Sequence, residues 1–116
     1  MIHWPAIIQL TGEAELTYIE NQSLWDRDMH LQAINYEASD RLIDSYGVAY
    51  ALSRKADGKV IPERSETIVA LDTVIQLIRA HAAQIGLCCI AKISAGSFQE
   101  AISLVSSMDD NGVVKS

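Results

Sequence analysis

The stretch from Leu71 to Ile93 constrains the fold more than any other part of the chain. Ile68 or Leu71, Ile75, Ile78, Ala82 and Ile85 recur at three- and four-residue spacing, which puts them on one face of a helix. Asp72, Gln76, Arg79 and Ala83 fall on the opposite side. Gly86 follows where a left-handed C-cap is needed, because only glycine reaches positive φ without a Cβ clash. Leu87 to Ile93 then reads as an apolar strand. A one-sided helix must bury its stripe against another layer, and a neighbouring strand makes a sheet the natural partner.

The order of elements read along the chain is ββα–βββ–αβ–α. Ala6–Leu10 and Leu16–Ile19 alternate as two strands around a loop holding Gly12. Ile8 and Leu10 are expected to share a face with Leu16 and Tyr18. Ser23 is a candidate N-cap for one short helix, Leu24 to about Asn35. Its apolar residues fall into two stripes, Leu24, Leu31 and Ile34 or Trp25, Met29 and Tyr36, and either can be the buried one. Arg41–Ile43 reads as a third strand, Asp44–Gly47 as a turn, and Val48, Tyr50 and Leu52 as alternate positions of a fourth. Asp57-Gly58 is a strong hairpin signal, and Lys59–Ile61 returns as a fifth strand ending at Pro62. The long helix begins between Ser65, a good cap, and Leu71, which the β-branched run Thr67-Ile68-Val69 favours. Ser97 and Glu100 form a capping box ahead of the stripe Phe98, Ala101, Ile102 and Val105. The expectation is an α+β fold with an antiparallel or mixed sheet and the C-terminal helices packed on one face. Residues 1–108 read as a single α+β domain and 109–116 as a loose C-terminal tail.

Composition excludes several function classes. The 116 residues carry a net charge of −6. From Met1 to Ser53 eight acids face only Arg27 and Arg41, which disfavours nucleic acid and anionic membranes. A basic protein partner is compatible with this surface. No apolar run approaches the roughly 20 residues of a membrane span, and the N-terminus has no signal-peptide pattern. Two adjacent cysteines make no disulfide framework, so reduced, cytoplasmic thiols are expected.

The residues able to carry chemistry are few. His81, Cys88 and Cys89 form the one local cluster. A metal needs three or four converging ligands, and no CxxC pair or second spaced histidine is present. The simpler reading is a half-buried histidine bonding locally beside two thiols that act as small hydrophobes of a central strand. Asp40 and Asp44 can divide acid and base roles where their environments differ. Both also sit where aspartate commonly bonds local backbone. No P-loop, dinucleotide fingerprint, nucleophile elbow or calcium loop occurs, so no cofactor is expected.

Three segments carry a resemblance. They are His3-Trp4-Pro5-Ala6-Ile7-Ile8, then Asp40 to Gly47, then Arg79-Ala80-His81-Ala82-Ala83 followed by Cys88-Cys89-Ile90-Ala91-Lys92. Together they resemble a small family of uncharacterised gammaproteobacterial proteins, a domain of unknown function. The resemblance implies a bacterial cytosolic protein of about this length and carries no activity, so no catalytic residue transfers. In that pattern a Ser or Thr cap falls near Ala70, which this chain lacks. The expected function is a non-enzymatic binding or regulatory module whose acidic surface meets a protein partner or a second copy of the chain. The alternatives are a thiol- or metal-dependent enzyme or sensor at His81, Cys88 and Cys89, and an enzyme using Asp40 or Asp44 with a histidine.

Overall fold

Among the described residues, five antiparallel strands in the order β2-β1-β3-β4-β5 form the centre of the molecule. They are β1 (Ala6–Gln9), β2 (Leu16–Ile19), β3 (Arg41–Ile43), β4 (Val48–Arg54) and β5 (Val60–Ile68). The helices are α1 (Gln22–Arg27), α2 (Met29–Ala33), α3 (Leu71–Gln84) and α4 (Phe98–Val114). This computed structural model describes residues 2–88 and 90–114. The expected α+β class holds, with a sheet that is antiparallel throughout.

Strand periodicity divides the core in two. Ile7, Ile43 and Ala49 point to one face, where they meet Val74, Ile78 and Ala82 of α3 and Ala101, Ile102 and Val105 of α4. The C-terminal helices therefore cover one face, as the stripes imply. Ala6, Ile8, Leu42, Tyr50 and Leu52 point to the other face, where Trp25 and Leu31 cover them. The inner strands are apolar on both sides because both sides are buried.

Several details differ from the sequence reading. Gln9 pairs with Leu16 and Ile7 with Tyr18, so Leu16 and Tyr18 share a face with Ile7 and not with Ile8. A one-residue slip reverses every side chain of a strand, and Gly12 and the loop around it permit either register. The expected helix from Leu24 to Asn35 is two helices. Asn21, not Ser23, caps the first through Leu24 N–H at 2.9 Å, and Asp28 caps the second through Leu31 N–H at 3.0 Å. The break at Asp28 shifts the helical phase, so Trp25 and Leu31 are buried while Leu24 and Met29 are exposed. Each proposed stripe is thus half right. β5 does not stop at Pro62 but continues to Ile68, and α3 takes the later start. Its N-cap is Ala70, which supplies no side-chain bond.

The end of α3 follows the glycine argument closely. Gly86 has φ +84, Gly86 N–H bonds Ala83 O, and Leu87 N–H bonds Ala82 O at 2.9 Å. That pair of bonds is a Schellman cap. Among the described residues of Leu87–Ile93, the expected strand does not form. In its place stands a short 3-10 turn, Ile90–Lys92, held by both Nε and Nη2 of Arg79 on Ile93 O. Leu87, Ile90 and Ile93 pack at three-residue spacing onto the helix-side core, a period that fits a 3-10 turn better than a strand. Cys88 is accordingly exposed, not a central-strand hydrophobe; Cys89 lies outside the described residues. α4 begins with Ser97 Oγ accepting Glu100 N–H at 3.1 Å and runs on past 109–112, where the sequence signals a stop.

Ile78 is fully buried between the sheet and α4. Replacing it with alanine removes packed methylenes from a site with little room to collapse. Ile78→Ala is expected to lower unfolding free energy by about 2–5 kcal/mol in urea melts. A loss below about half a kcal/mol would take Ile78 out of the core.

Candidate functional site

The two aspartates singled out in the sequence are both buried, and both are filled by hydrogen bonds from the chain itself. Asp44 Oδ1 accepts Tyr46 N–H at 2.9 Å and Val48 N–H at 3.0 Å. Its Oδ2 accepts His3 N–H at 3.0 Å and the Tyr50 hydroxyl at 3.3 Å. A carboxylate offers about four lone-pair directions, and these donors take them all. Asp40 Oδ1 accepts Thr11 N–H at 2.6 Å and the Thr11 hydroxyl at 2.7 Å, and its Oδ2 accepts Glu37 N–H at 2.7 Å. Burial pushes the Asp40 carboxyl up, but the Glu37 and Thr11 bonds outweigh it and hold it below its usual value. Asp40 ties the β1–β2 loop to the lead-in of β3. Asp44 ties the N-terminal segment to the β3–β4 turn.

His81 is fully buried on the inner face of α3, not half-buried, and its bond is long-range, not local. Its Nδ1 accepts Leu16 N–H at 2.9 Å, joining the helix to the first residue of β2. That nitrogen is therefore engaged with the backbone. Cys88 lies exposed beyond the Schellman cap. Among the described residues no group of three His, Cys, Asp or Glu is placed to hold a metal ion.

The structure brings together a different set. A groove of about 680 Å³ runs between α1 and the start of β5, lined by Gln22, Trp25, Asp26, Gln32, Asp57 and Pro62 among others. Its floor is apolar: Trp25 and Val60 belong to the buried cluster on this face. A carboxylate stands on each wall. Asp26 Oδ1 accepts from Gln22 Nε2 at 3.0 Å, and Asp57 Oδ1 accepts Lys59 N–H at 3.0 Å. The walls are braced by Arg54, whose Nη1 donates to Gly58 O and whose Nη2 donates to Gln32 O and Ile34 O. Gln32 Oε1 in turn accepts Val60 N–H at 3.0 Å. Tyr36 completes the brace by donating its hydroxyl to Leu31 O at 2.8 Å. Burial, then the Asp40 and Asp28 carboxylates, push that hydroxyl up to about 12 against the pull of Arg54, so it remains a neutral donor.

The outer edge of β5 opens along the same groove. Lys55 N–H bonds Lys59 O at the hairpin mouth. Bonded pairs alternate in an antiparallel ladder, so Leu52 and Pro62 form a non-bonded pair with the Pro62 backbone turned outward. Proline has no N–H to present there, which limits open-ended strand pairing. Sequence reasoning missed this groove because its walls lie far apart in the chain. Asp57 was read as a turn residue, and the approach of α1 to it has no local signature.

The family model described as a protein structure with unknown function, DUF4144, matches residues 4–105. The chain belongs to the DUF4144 family. A solved structure shares the fold: the NMR structure of a protein from Shewanella amazonensis is 25% identical, with a TM-score of 0.67 over 92% of this chain and 90% of that one. No curated protein matches the sequence. The family relationship agrees with the resemblance carried by the three sequence segments, and DUF4144 brings no activity with it. Among the described residues, no helix is long and apolar enough to cross a membrane.

The lowered Asp40 carboxyl gives a pH dependence of known sign. A group whose folded-state pKa is depressed stabilises the fold above the unfolded value, about 3.9 for aspartate, and that contribution is lost as the pH falls through the folded value. Asp40→Asn keeps the shape and removes the titration. The stability gap between wild type and Asp40→Asn is expected to be largest near neutral pH and to shrink below about pH 4. Urea midpoints across that range measure it, and a gap independent of pH would contradict the assignment.

Proposed function

We propose that this DUF4144 protein is a non-enzymatic binding module. Its site is the groove between α1 and β5, and its partner is a short basic segment of another protein. The observation that carries this reading is the pairing of an apolar floor, Trp25 and Val60, with carboxylates on opposing walls, Asp26 and Asp57. Such a groove suits an apolar residue flanked by lysine or arginine. Charge favours a basic partner over a second copy, because each copy carries −6. The wall formed by α1 and α2 belongs to the acidic first half of the chain, which supports the same direction. The exposed, unbridged Cys88 fits a reducing compartment, so the cytoplasm is the proposed location.

The test is an NMR titration with a short acetylated peptide alternating leucine and lysine. Shifts are expected at Trp25, Asp26, Asp57 and Val60, with binding that weakens as salt rises. The double variant Asp26→Asn, Asp57→Asn should weaken binding by about fivefold or more, as losing two partly exposed charge contacts implies. Equal affinity in the double variant, or shifts confined to another surface, would contradict the proposal.

A further inference from the structure

The helix-side face of the sheet is covered over only part of its area. α3 and α4 pack on Ile7, Leu16, Ile43 and Ala49. In the adjacent row the register sets Gln9, Arg41, Ala51 and Glu63 side by side across β1, β3, β4 and β5. This row is open: Ala51 is exposed and Arg41 only half-buried. A trough of about 450 Å³ results, lined by Gln9, Ser39, Arg41, Ala51, Ser65 and Thr67 among others. That volume falls in the range of small-molecule sites, roughly 300–1,000 Å³. It lies on the face opposite the α1–β5 groove, so it is independent of the function proposed above.

Arg41 is the fixed charge in the trough. Its Nε donates to Gln9 Oε1 at 2.8 Å, which sets the plane of the guanidinium. Nη1 and Nη2 have no partner among the described residues. Those two nitrogens form the end-on fork that matches the two oxygens of an oxyanion. The nearby carboxylates do not occupy it. Asp40 is filled by Thr11 and Glu37, and Glu63 is drawn to Lys55 and Ser53 through Oε1. The same carboxylates, with a net charge of −6, oppose a dianion more than a monoanion. The small methyl group of exposed Ala51 leaves room for a short apolar body where a larger side chain would fill the space.

We infer that this trough binds a small organic monocarboxylate. Its carboxylate sits on Nη1 and Nη2 of Arg41, and its apolar body lies over Ala51. A single half-exposed fork gives weak binding, with Kd of the order of 1 mM or somewhat tighter.

The test is a ¹H–¹⁵N NMR titration of the full chain with propionate at constant ionic strength set by chloride. Saturable shifts are expected at Gln9, Arg41 including its Nε–H, Ala51 and Thr67. Propionamide, the neutral isostere, should give none, and inorganic phosphate near neutral pH should bind more weakly. Arg41→Gln should abolish saturation, and Arg41→Lys should weaken it by about fivefold or more, since a point charge lacks the fork. Ala51→Val fills the trough at an exposed strand position where valine is well tolerated, so it should block binding with Arg41 intact. If Arg41→Gln fails to fold, Arg41→Lys and Ala51→Val decide the matter. Absence of saturable shifts, binding that survives Arg41→Gln or Ala51→Val, equal binding of propionamide, or tighter binding of phosphate would each overturn the inference.

Discussion

The carboxylate of Asp44 is the interaction on which the rest of this structure depends. It is fully buried, and buried charge is costly unless every lone pair is met. Four donors meet it, and they come from three parts of the chain: His3 before β1, Tyr46 and Val48 around the turn, and Tyr50 inside β4. The turn it shapes carries further ties. Ser45 N–H bonds His3 O at 2.9 Å, and Ser45 Oγ donates to Pro5 O at 2.6 Å. His3 then stacks on Tyr46 with ring centroids 3.7 Å apart. Gly47 has φ +80, and a Cβ there would lie 2.5 Å from the Phe98 ring, so the first turn of α4 rests directly on this turn. Gly47 O also accepts Val69 N–H at 2.7 Å, fixing the exit from β5. One turn thus positions the N-terminal segment, the edge of the sheet and the start of the last helix.

The sequence made the large features legible where one local rule was strong enough. Ile75, Ile78 and Ala82 share a face because helical period leaves no other choice, and Gly86 ends the helix because its φ is positive. Asp57-Gly58 gave the hairpin for the same kind of reason. Failures came where two local rules competed. Leu87 to Ile93 is apolar enough for a strand, but Arg79 takes the Ile93 carbonyl and Ile90–Lys92 form a 3-10 turn. Ser23 looks like a cap, yet Asn21 and Asp28 do the capping and split the helix.

The candidate sites were less legible, for a physical reason. Residue type announced His81, Asp40 and Asp44 as chemically able, but ability depends on what fills the lone pairs. His81 Nδ1 is taken by Leu16 N–H, sixty-five positions away, which no local pattern encodes. The groove and the trough are defined the other way round, by groups left over when the fold is complete. Asp26 and Asp57 remain on facing walls after Arg54 braces the backbone between them. Arg41 keeps two nitrogens after Gln9 takes the third.

The central claim is that Asp44 serves as a structural tie with no lone pair to spare for chemistry, and Asp44→Asn tests it most directly. The amide matches the carboxylate in shape, but its NH2 faces donors where an acceptor is required. Unfolding in urea, with amide hydrogen exchange at His3, Tyr46 and Val48, measures the consequence. The account predicts a loss of at least about 2 kcal/mol, the range for hydrogen bonds to a buried charge and the donors left unpaired. It also predicts faster exchange at those three amides. A loss below about half a kcal/mol with unchanged exchange would contradict the account.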